Sequence, residues 1–419
     1  MKQFVAKRLA ILARQLIAKH KPKIIGITGS VGKTSARDAI YAVVSTAFWA
    51  RKGYENYNNE LGLPLAILGQ KSPGRSVFGW AVLIIKGYFS LWLGSFPKVL
   101  VLEMGVDKPG DMDYLLSIAK PDISVITNIG ISHYEFFGST EAVAHEKGKL
   151  VKAVGSGGAV ILNADNETAY AQREETSAKV IGYGFSDQSD VRMQIETEKF
   201  VVPAETKLIV HTPTQNFSLT VPTIGLPHIS SCGAAVAVGL YLGLSIENIQ
   251  KGLRAYKPVP GRLNLINGIR KTLIIDDSYN ASPDSVNEAL QILNRLPHQH
   301  KVVILGDMLE LGDLSESAHK KIGTQVGLMK IDRLITVGPL GKIMAEAAKI
   351  AGMSPELIVS FNNSHEASDH IRSELIPESA ILIKGSQGVR MERISKELLA
   401  DPMSATNLLP RQYGSWLEK

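Results

Sequence analysis

Residues 29–35 read Gly-Ser-Val-Gly-Lys-Thr-Ser, a spacing of small residues, one lysine and two hydroxyls that suits the binding of phosphate. The strict phosphate-loop pattern wants a glycine where Ile27 stands, so the match is near rather than complete. The backbone N–H groups of Gly29, Ser30, Val31 and Gly32 can turn inward around an anion. Lys33 would reach the terminal phosphates, and the Thr34 hydroxyl, with Ser35 beside it, would meet Mg²⁺. A plain glycine-rich turn is the alternative, and Gly-Lys-Thr at this point tells against it. Three further residues stand where chemistry could happen. Glu103 closes the apolar run "VLVLEMG", where a carboxylate can hold Mg²⁺ near phosphates. His133 follows another apolar run in "TNIGISHYEFFGS"; a lone histidine there is more often structural. Lys147 in "AHEKGKL" reads, by itself, as a solvated helical lysine.

The elements that must position these residues are legible around them. "KIIGIT" is a β-branched run of the kind that forms a buried parallel strand, and "KTSARDAIYAVVSTAF" reads as a helix opening at the loop. A helix N-terminus carries free N–H donors and partial positive charge, which favour phosphate there. "KVLVLEMG", "ISVITNIG" and "GAVILNAD" read as further buried strands with polar or glycine-rich tips. Ligands of parallel sheets bind at such carboxyl-terminal tips. Strand-like and helical runs alternate through most of the chain, which predicts an α/β fold with mostly parallel sheets. Between about Val191 and Thr223 the pattern shortens to alternation, predicting a small antiparallel patch. The Pro/Gly-rich "YKPVPGRLN" reads as a hinge, and four more strand runs after it predict a separate Rossmann-like domain. The expected division is a basic amphipathic helix over 1–22, a central ATP-binding domain over 23–257 and a C-terminal domain over 258–419.

Composition narrows the class. The chain has 419 residues, 45% hydrophobic and 21% charged, too long for one core and ordinary for a globular protein. Its net charge of +6 is modest, and no nucleic-acid partner is expected. A single cysteine excludes an intrachain disulfide and a multi-cysteine zinc site, and fits a reducing cytoplasm. No acidic residue precedes Asp38, so the amphipathic start is purely basic. Val77 to Phe96 is an apolar run of about spanning length, broken by Lys86 and glycines. A buried or interfacial helix is expected there rather than a membrane span, and together with the basic start it suggests peripheral membrane contact at the inner face.

Taken together, "GITGSVGKTS", "NYNNELGLP", "EMG", "TNIGISHYEFFGS", "AHEKGKL", "NADN", "PVPGRLN", "IDDSYNASPDS", "ILGDMLELG" and "IKGSQGVRME" occur in order across the chain. In this the sequence resembles the Mur ligase superfamily, and within it the branch that adds D-Ala-D-Ala to a muramoyl tripeptide in peptidoglycan synthesis. That family's loop has the form T-G-x-x-G-K-[ST], so Ile27 conforms to it. The resemblance implies an ADP-forming amide ligase using ATP and two Mg²⁺ ions. It implies that Lys33 and the loop amides hold the β- and γ-phosphates and that Thr34 and Glu103 ligate one Mg²⁺. Glu103 and His133 would serve a second Mg²⁺, and Lys147 matches a lysine that many members carry as a carbamate. Arg262 would meet phosphate and Asp277 the ribose, with Asn280 in the same loop. Only about twenty-three residues precede the first strand, so the N-terminal UDP-binding domain of the branch is expected to be missing, and the acceptor could be UDP- or lipid-linked. The apolar 77–96 run looks like an insertion. "GLPHISSCG" has His228 and Ser231 where the family has asparagines, and "KGSQ" has Gln387 in place of an arginine. Two other readings are a folylpolyglutamate synthase-like ligase and a non-catalytic nucleotide-binding subunit of a cell-wall enzyme. The lipid-linked muropeptide amidation subunit fits less well, since its zinc ribbon needs more than one cysteine.

Overall fold

The computed structural model describes residues 2–54, 57–92, 94–130, 134–412 and 416. They form two compact units. The first comprises 1–198, 206–222 and 226–257; the second comprises 199–205, 223–225 and 258–419.

The first unit is built on a nine-stranded sheet. Its strands are β1 (Lys23–Thr28), β2 (Ala50–Lys52), β3 (Val99–Glu103), β4 (Ile123–Ile126), β5 (Ala159–Asn163), β6 (Lys179–Gly184), β7 (Val191–Lys199), β8 (Glu205–His211) and β9 (Asn216–Val221). They lie in the order β2-β3-β1-β4-β5-β6-β7-β8-β9. Strands β1 to β6 pair in parallel, and the residues of β3, β4 and β5 are buried throughout, as expected of strands covered on both faces. Strands β8 and β9 pair antiparallel from Thr206↔Val221 to His211↔Asn216, which is the expected antiparallel patch. In the parallel part, Ile27 of β1 lies opposite Glu103 of β3, and Thr28 lies opposite Ile126 of β4. The tips of these three strands therefore end at one level, beside the glycine-rich loop.

The first helix, Lys2–His20, turns Val5, Leu9, Leu12 and Leu16 inward at helical spacing. These side chains join the core cluster that also contains Leu63, Leu83, Leu100 and Leu102. Burying each such leucine contributes about 2 kcal/mol relative to exposure. The basic start is thus amphipathic, as its pattern predicts, but its apolar face is committed to the protein core. The 77–96 run forms a helix at Val77–Trp92. Only Leu83 and Gly87 of this helix are fully buried. Among the described residues no helix is long and apolar enough to cross a membrane.

The second unit carries a six-stranded sheet: β10 (Asn264–Asn267), β11 (Leu273–Asp277), β12 (Lys301–Gly306), β13 (Arg333–Val337), β14 (Ile358–Phe361) and β15 (Ala380–Lys384), in the order β10-β11-β15-β12-β13-β14. Strands β11 to β15 run parallel, and β10 pairs antiparallel with β11 at one edge. Strands β10 and β14 are additional to the four expected runs. Both are four residues long and lie at the sheet edges, where a short strand leaves little periodicity to read.

Candidate active site

The loop after β1 is shaped by its glycines. Gly32 has φ 86° and caps the helix Lys33–Val44 in the left-handed region, where a side chain would be strained. A Cβ on Gly29 would run into Thr127 Oγ1 and come within 3.0 Å of the Asn128 carbonyl. The loop is braced from the tip of β4. Thr127 Oγ1 donates to the Val31 carbonyl at 2.6 Å, Ser30 N donates to the Asn128 carbonyl at 2.7 Å, and Ser30 Oγ donates to the Gly130 carbonyl at 3.0 Å. The β4 tip is held in turn by β5: Asn163 donates to the Thr127 carbonyl at 2.7 Å, and Asn166 bonds both backbone groups of Ile129. The result is a braced loop at a helix N-terminus, and it corrects the expectation for Ser30, whose N–H is turned onto the Asn128 carbonyl rather than toward an anion. Lys33 Nζ lies in its curve, 2.7 Å from the Gly29 carbonyl.

Glu103 meets this loop from β3. Thr34 Oγ1 donates to Glu103 Oε2 at 3.0 Å, with both side chains buried. Asn58 donates to the other oxygen, Oε1, at 3.0 Å, and Arg37 Nη1 stands 3.4 Å from Oε2. Neighbouring oxygens in an octahedral Mg²⁺ shell with bonds of 2.0–2.1 Å lie about 2.9 Å apart. The Thr34 and Glu103 oxygens thus fit a small hard cation that keeps other positions for phosphate oxygens and water. His133 lies outside the described residues. Among the described residues no group of three or more His, Cys, Asp or Glu gathers as a metal cluster.

Lys147 corrects the ordinary expectation of a solvated helical lysine. On the helix Thr140–Lys152 it shares a face with Val143, Leu150 and Val151, and it is 1% exposed. Burial first, and then the Lys33 ammonium, hold its amine well below the usual lysine range, against the opposing pull of Asp107 and Glu146. Glu146 beside it serves structure instead: Oε1 accepts from Gly110 N and Met112 N at the start of the helix Asp111–Ile118.

In the second unit, Asp277 ends β11 and is buried. Its Oδ2 accepts from Lys384 Nζ at 2.6 Å, and its Oδ1 from Leu263 N at 3.2 Å. Lys384 also donates to the Asn280 carbonyl at 2.8 Å, and the Asn280 side chain accepts from Gln387 N at 3.4 Å. The Arg262 guanidinium stands 4.4 Å from the centre of the Tyr279 ring. Arg262, Asp277 and Asn280 therefore come together around one loop. Lys384, in "IKGSQGVRME", is the partner that sequence reasoning missed, as it missed Arg37, Asn58, Thr127 and Asn163 in the first unit. Most of these residues lie in or beside quoted motifs, but nothing in local spacing says which residue each would meet.

Comparison with known proteins bears on the family of the whole chain. Residues 90–239 match the Mur ligase middle domain, and residues 261–387 match the Mur ligase, glutamate ligase domain. The UDP-N-acetylmuramoyl-tripeptide–D-alanyl-D-alanine ligase of Bacillus subtilis is 32% identical over 94% of this chain and 79% of its own length. This chain belongs to the Mur ligase family. Its Mur ligase relative of the same name from Escherichia coli is 27% identical over 90% of the chain and 76% of its own length. The crystal structure of MurF from Acinetobacter baumannii superposes with a TM-score of 0.76 at 27% identity, covering 94% of this chain and 80% of that one. The middle-domain match spans Glu103 and Lys147, and the second match spans Arg262, Asp277 and Asn280. The phosphate loop precedes residue 90, so its reading rests on its own geometry and on the full-length similarity.

Proposed function

We propose that this Mur ligase is the ATP-dependent, ADP-forming enzyme that joins D-Ala-D-Ala to a muramoyl tripeptide in peptidoglycan precursor synthesis, on which cell shape and division depend. The observation that carries the reading is the Thr34–Glu103 pair closing a phosphate loop in a chain so similar to ligases of that name.

The chemistry accounts for the parts. A carboxylate resists attack by an amine because oxide is a poor leaving group. Its oxygen therefore first attacks the γ-phosphorus of ATP, the bond to the bridging β–γ oxygen breaks, and ADP leaves. The amine of D-Ala-D-Ala then attacks the acyl carbon, loses a proton, and phosphate departs. Two anions must meet in the first step. The loop amides of residues 29–35 other than Ser30, with the Lys33 ammonium, supply positive charge at the β- and γ-phosphates, held in place before the reaction starts. Thr34 and Glu103 would hold a Mg²⁺ ion, which when bound screens and orients the phosphates. Asn58 and Arg37 keep the Glu103 carboxylate turned toward the loop.

Further assignments belong to the same proposal. His133 with Glu103 would take a second Mg²⁺. Lys147 would act as a carbamate; its buried amine has an enlarged uncharged fraction, and CO₂ adds only to the uncharged form. Arg262, Asp277 and Asn280 would bind the nucleotide, and residues 23–257 and 258–419 would divide the work of phosphate binding and nucleotide closure. The enzyme would act on the cytoplasmic side of the membrane.

The test is phosphate release from ATP with a panel of acceptors: UDP-linked, lipid-linked and free muramoyl tripeptides, and a folate with glutamate. Turnover that needs both a muramoyl tripeptide and D-Ala-D-Ala is the expected result, and the preferred carrier identifies the acceptor. Turnover with folate and glutamate alone would place the chain among the folylpolyglutamate synthases instead.

A further inference from the structure

The helix Val77–Trp92 is apolar on two opposite faces, with Gly79, Lys86 and Ser90 in a narrow stripe between them, yet the protein covers only one of those faces. Trp80, Leu83, Ile84, Gly87 and Leu91 turn toward the core cluster. The approach is close, since a Cβ on Gly87 would lie 2.8 Å from Leu68 and 3.1 Å from Leu12 of the first helix. Phe78, Ile85, Phe89 and Trp92 stand on the opposite face at intervals of seven, four and three residues, and are 79%, 55%, 61% and 83% exposed. Ala81 and Tyr88 flank them and are exposed as well. The apolar face of a helix is normally buried, and a contiguous apolar row left in water marks an interaction surface.

Charge decides what covers it. There is no Asp or Glu among residues 1–37 or among residues 61–102. The first helix packs Leu12 against Gly87, and Lys19 donates to the Leu91 carbonyl while standing 5.7 Å from the Trp92 ring. It therefore runs alongside, and it exposes Lys7, Arg8 and Arg14, with Phe4 also in solvent. Lys86 on the helix itself and Lys71 and Arg75 just before it are exposed too. The apolar row thus lies among cations on helices that carry no acid. A second copy of this chain docked face to face would bring cations onto cations, whereas an anionic surface is complementary to them. With 16 residues the helix is about 24 Å long, short of the hydrocarbon thickness of a bilayer. Such an element lies along a membrane surface, with aromatic side chains at headgroup level and lysines reaching the phosphates.

We propose that the outward face of Val77–Trp92, with the exposed basic side of the first helix, docks this enzyme on the surface of an anionic lipid bilayer. The proposal is independent of the ligase reading, because none of these side chains belongs to the catalytic machinery. The full chain is mixed with phosphatidylcholine vesicles, with and without phosphatidylglycerol, and separated by flotation. It should float with the phosphatidylglycerol vesicles and be released by high salt. Ile85→Ser with Phe89→Ser should lower the partition about tenfold or more, since two apolar side chains leave the interface. Lys86→Glu with Arg75→Glu should weaken it without touching the apolar row. Both variants should keep the wild-type melting temperature and turnover, as these positions are exposed. A wild-type chain that stays with the soluble fraction at low salt, or an Ile85→Ser/Phe89→Ser variant that floats equally well, overturns the proposal. So does a wild-type dimer that this variant converts to monomer without any vesicle binding, which would assign the face to a second copy.

Discussion

At the scale of single residues, the site turns on one carboxylate and one amine. Glu103 is held by Thr34, Asn58 and Arg37, so Glu103→Gln keeps the shape and removes the charge. Turnover should fall about 100-fold or more, equivalent to about 2.7 kcal/mol of transition-state stabilisation, with little change in melting temperature. Steady-state phosphate release and thermal unfolding on the same preparation measure both. If Lys147 acts as the proposed carbamate, Lys147→Ala should abolish turnover and acetate should restore part of it by occupying the position of the carbamate, whereas a small amine should not. Full turnover without supplement would remove the carbamate from the mechanism. The sequence shows Lys33, Thr34 and Glu103 because each sits at a predicted element end. It does not show Asn58, which reaches Glu103 across 45 residues, or Lys384, which reaches Asp277 across 107. Pairings of that range are set by strand order, and strand order leaves no local period in the sequence.

At the scale of elements, the strands carry the reading and their partners refine it. The runs ending in Glu103, Thr127 and Asn163 were legible as buried strands because both faces of a parallel sheet are covered. The basic first helix was legible as amphipathic; that its apolar face meets Leu63 and Leu83 was not, because any apolar surface would satisfy the same pattern. Strand β11 makes a separate prediction. Asp276 is fully buried, Ser395 Oγ donates to its Oδ1 at 2.7 Å, and burial pushes its carboxyl from 3.8 up to about 7. The unfolded chain releases this proton above pH 3.8, while the folded chain keeps it to about pH 7. The contribution to stability is therefore whole below pH 3.8 and is lost as pH rises through 7. Asp276→Asn keeps an acceptor for Ser395 and cannot ionise. Its urea midpoint should vary less than wild type between about pH 4 and about pH 8, and should be the higher of the two at the upper end.

At the scale of the whole molecule, the division into two units follows the Pro/Gly-rich stretch, yet the boundary is not a simple one. Residues 199–205 and 223–225 belong to the second unit although the chain returns to the first after each. Ile224 is fully buried in the core formed by Leu263, Ile275, Leu290 and Leu293, and Phe200 and Ala204 pack against the same cluster. The polypeptide consequently passes between the units five times, and only the last passage lies in the stretch that looks like a linker. Modularity is what this costs. A gene cut at Pro258 would deliver a C-terminal piece with a hole where Ile224 belongs, and an N-terminal piece carrying two short segments with no core of their own. The halves do not separate at that seam as ready-made parts: a working splice has to supply residues 199–205 and 223–225 to the C-terminal partner while leaving 206–222 in the first sheet, or redesign the pocket that receives Ile224.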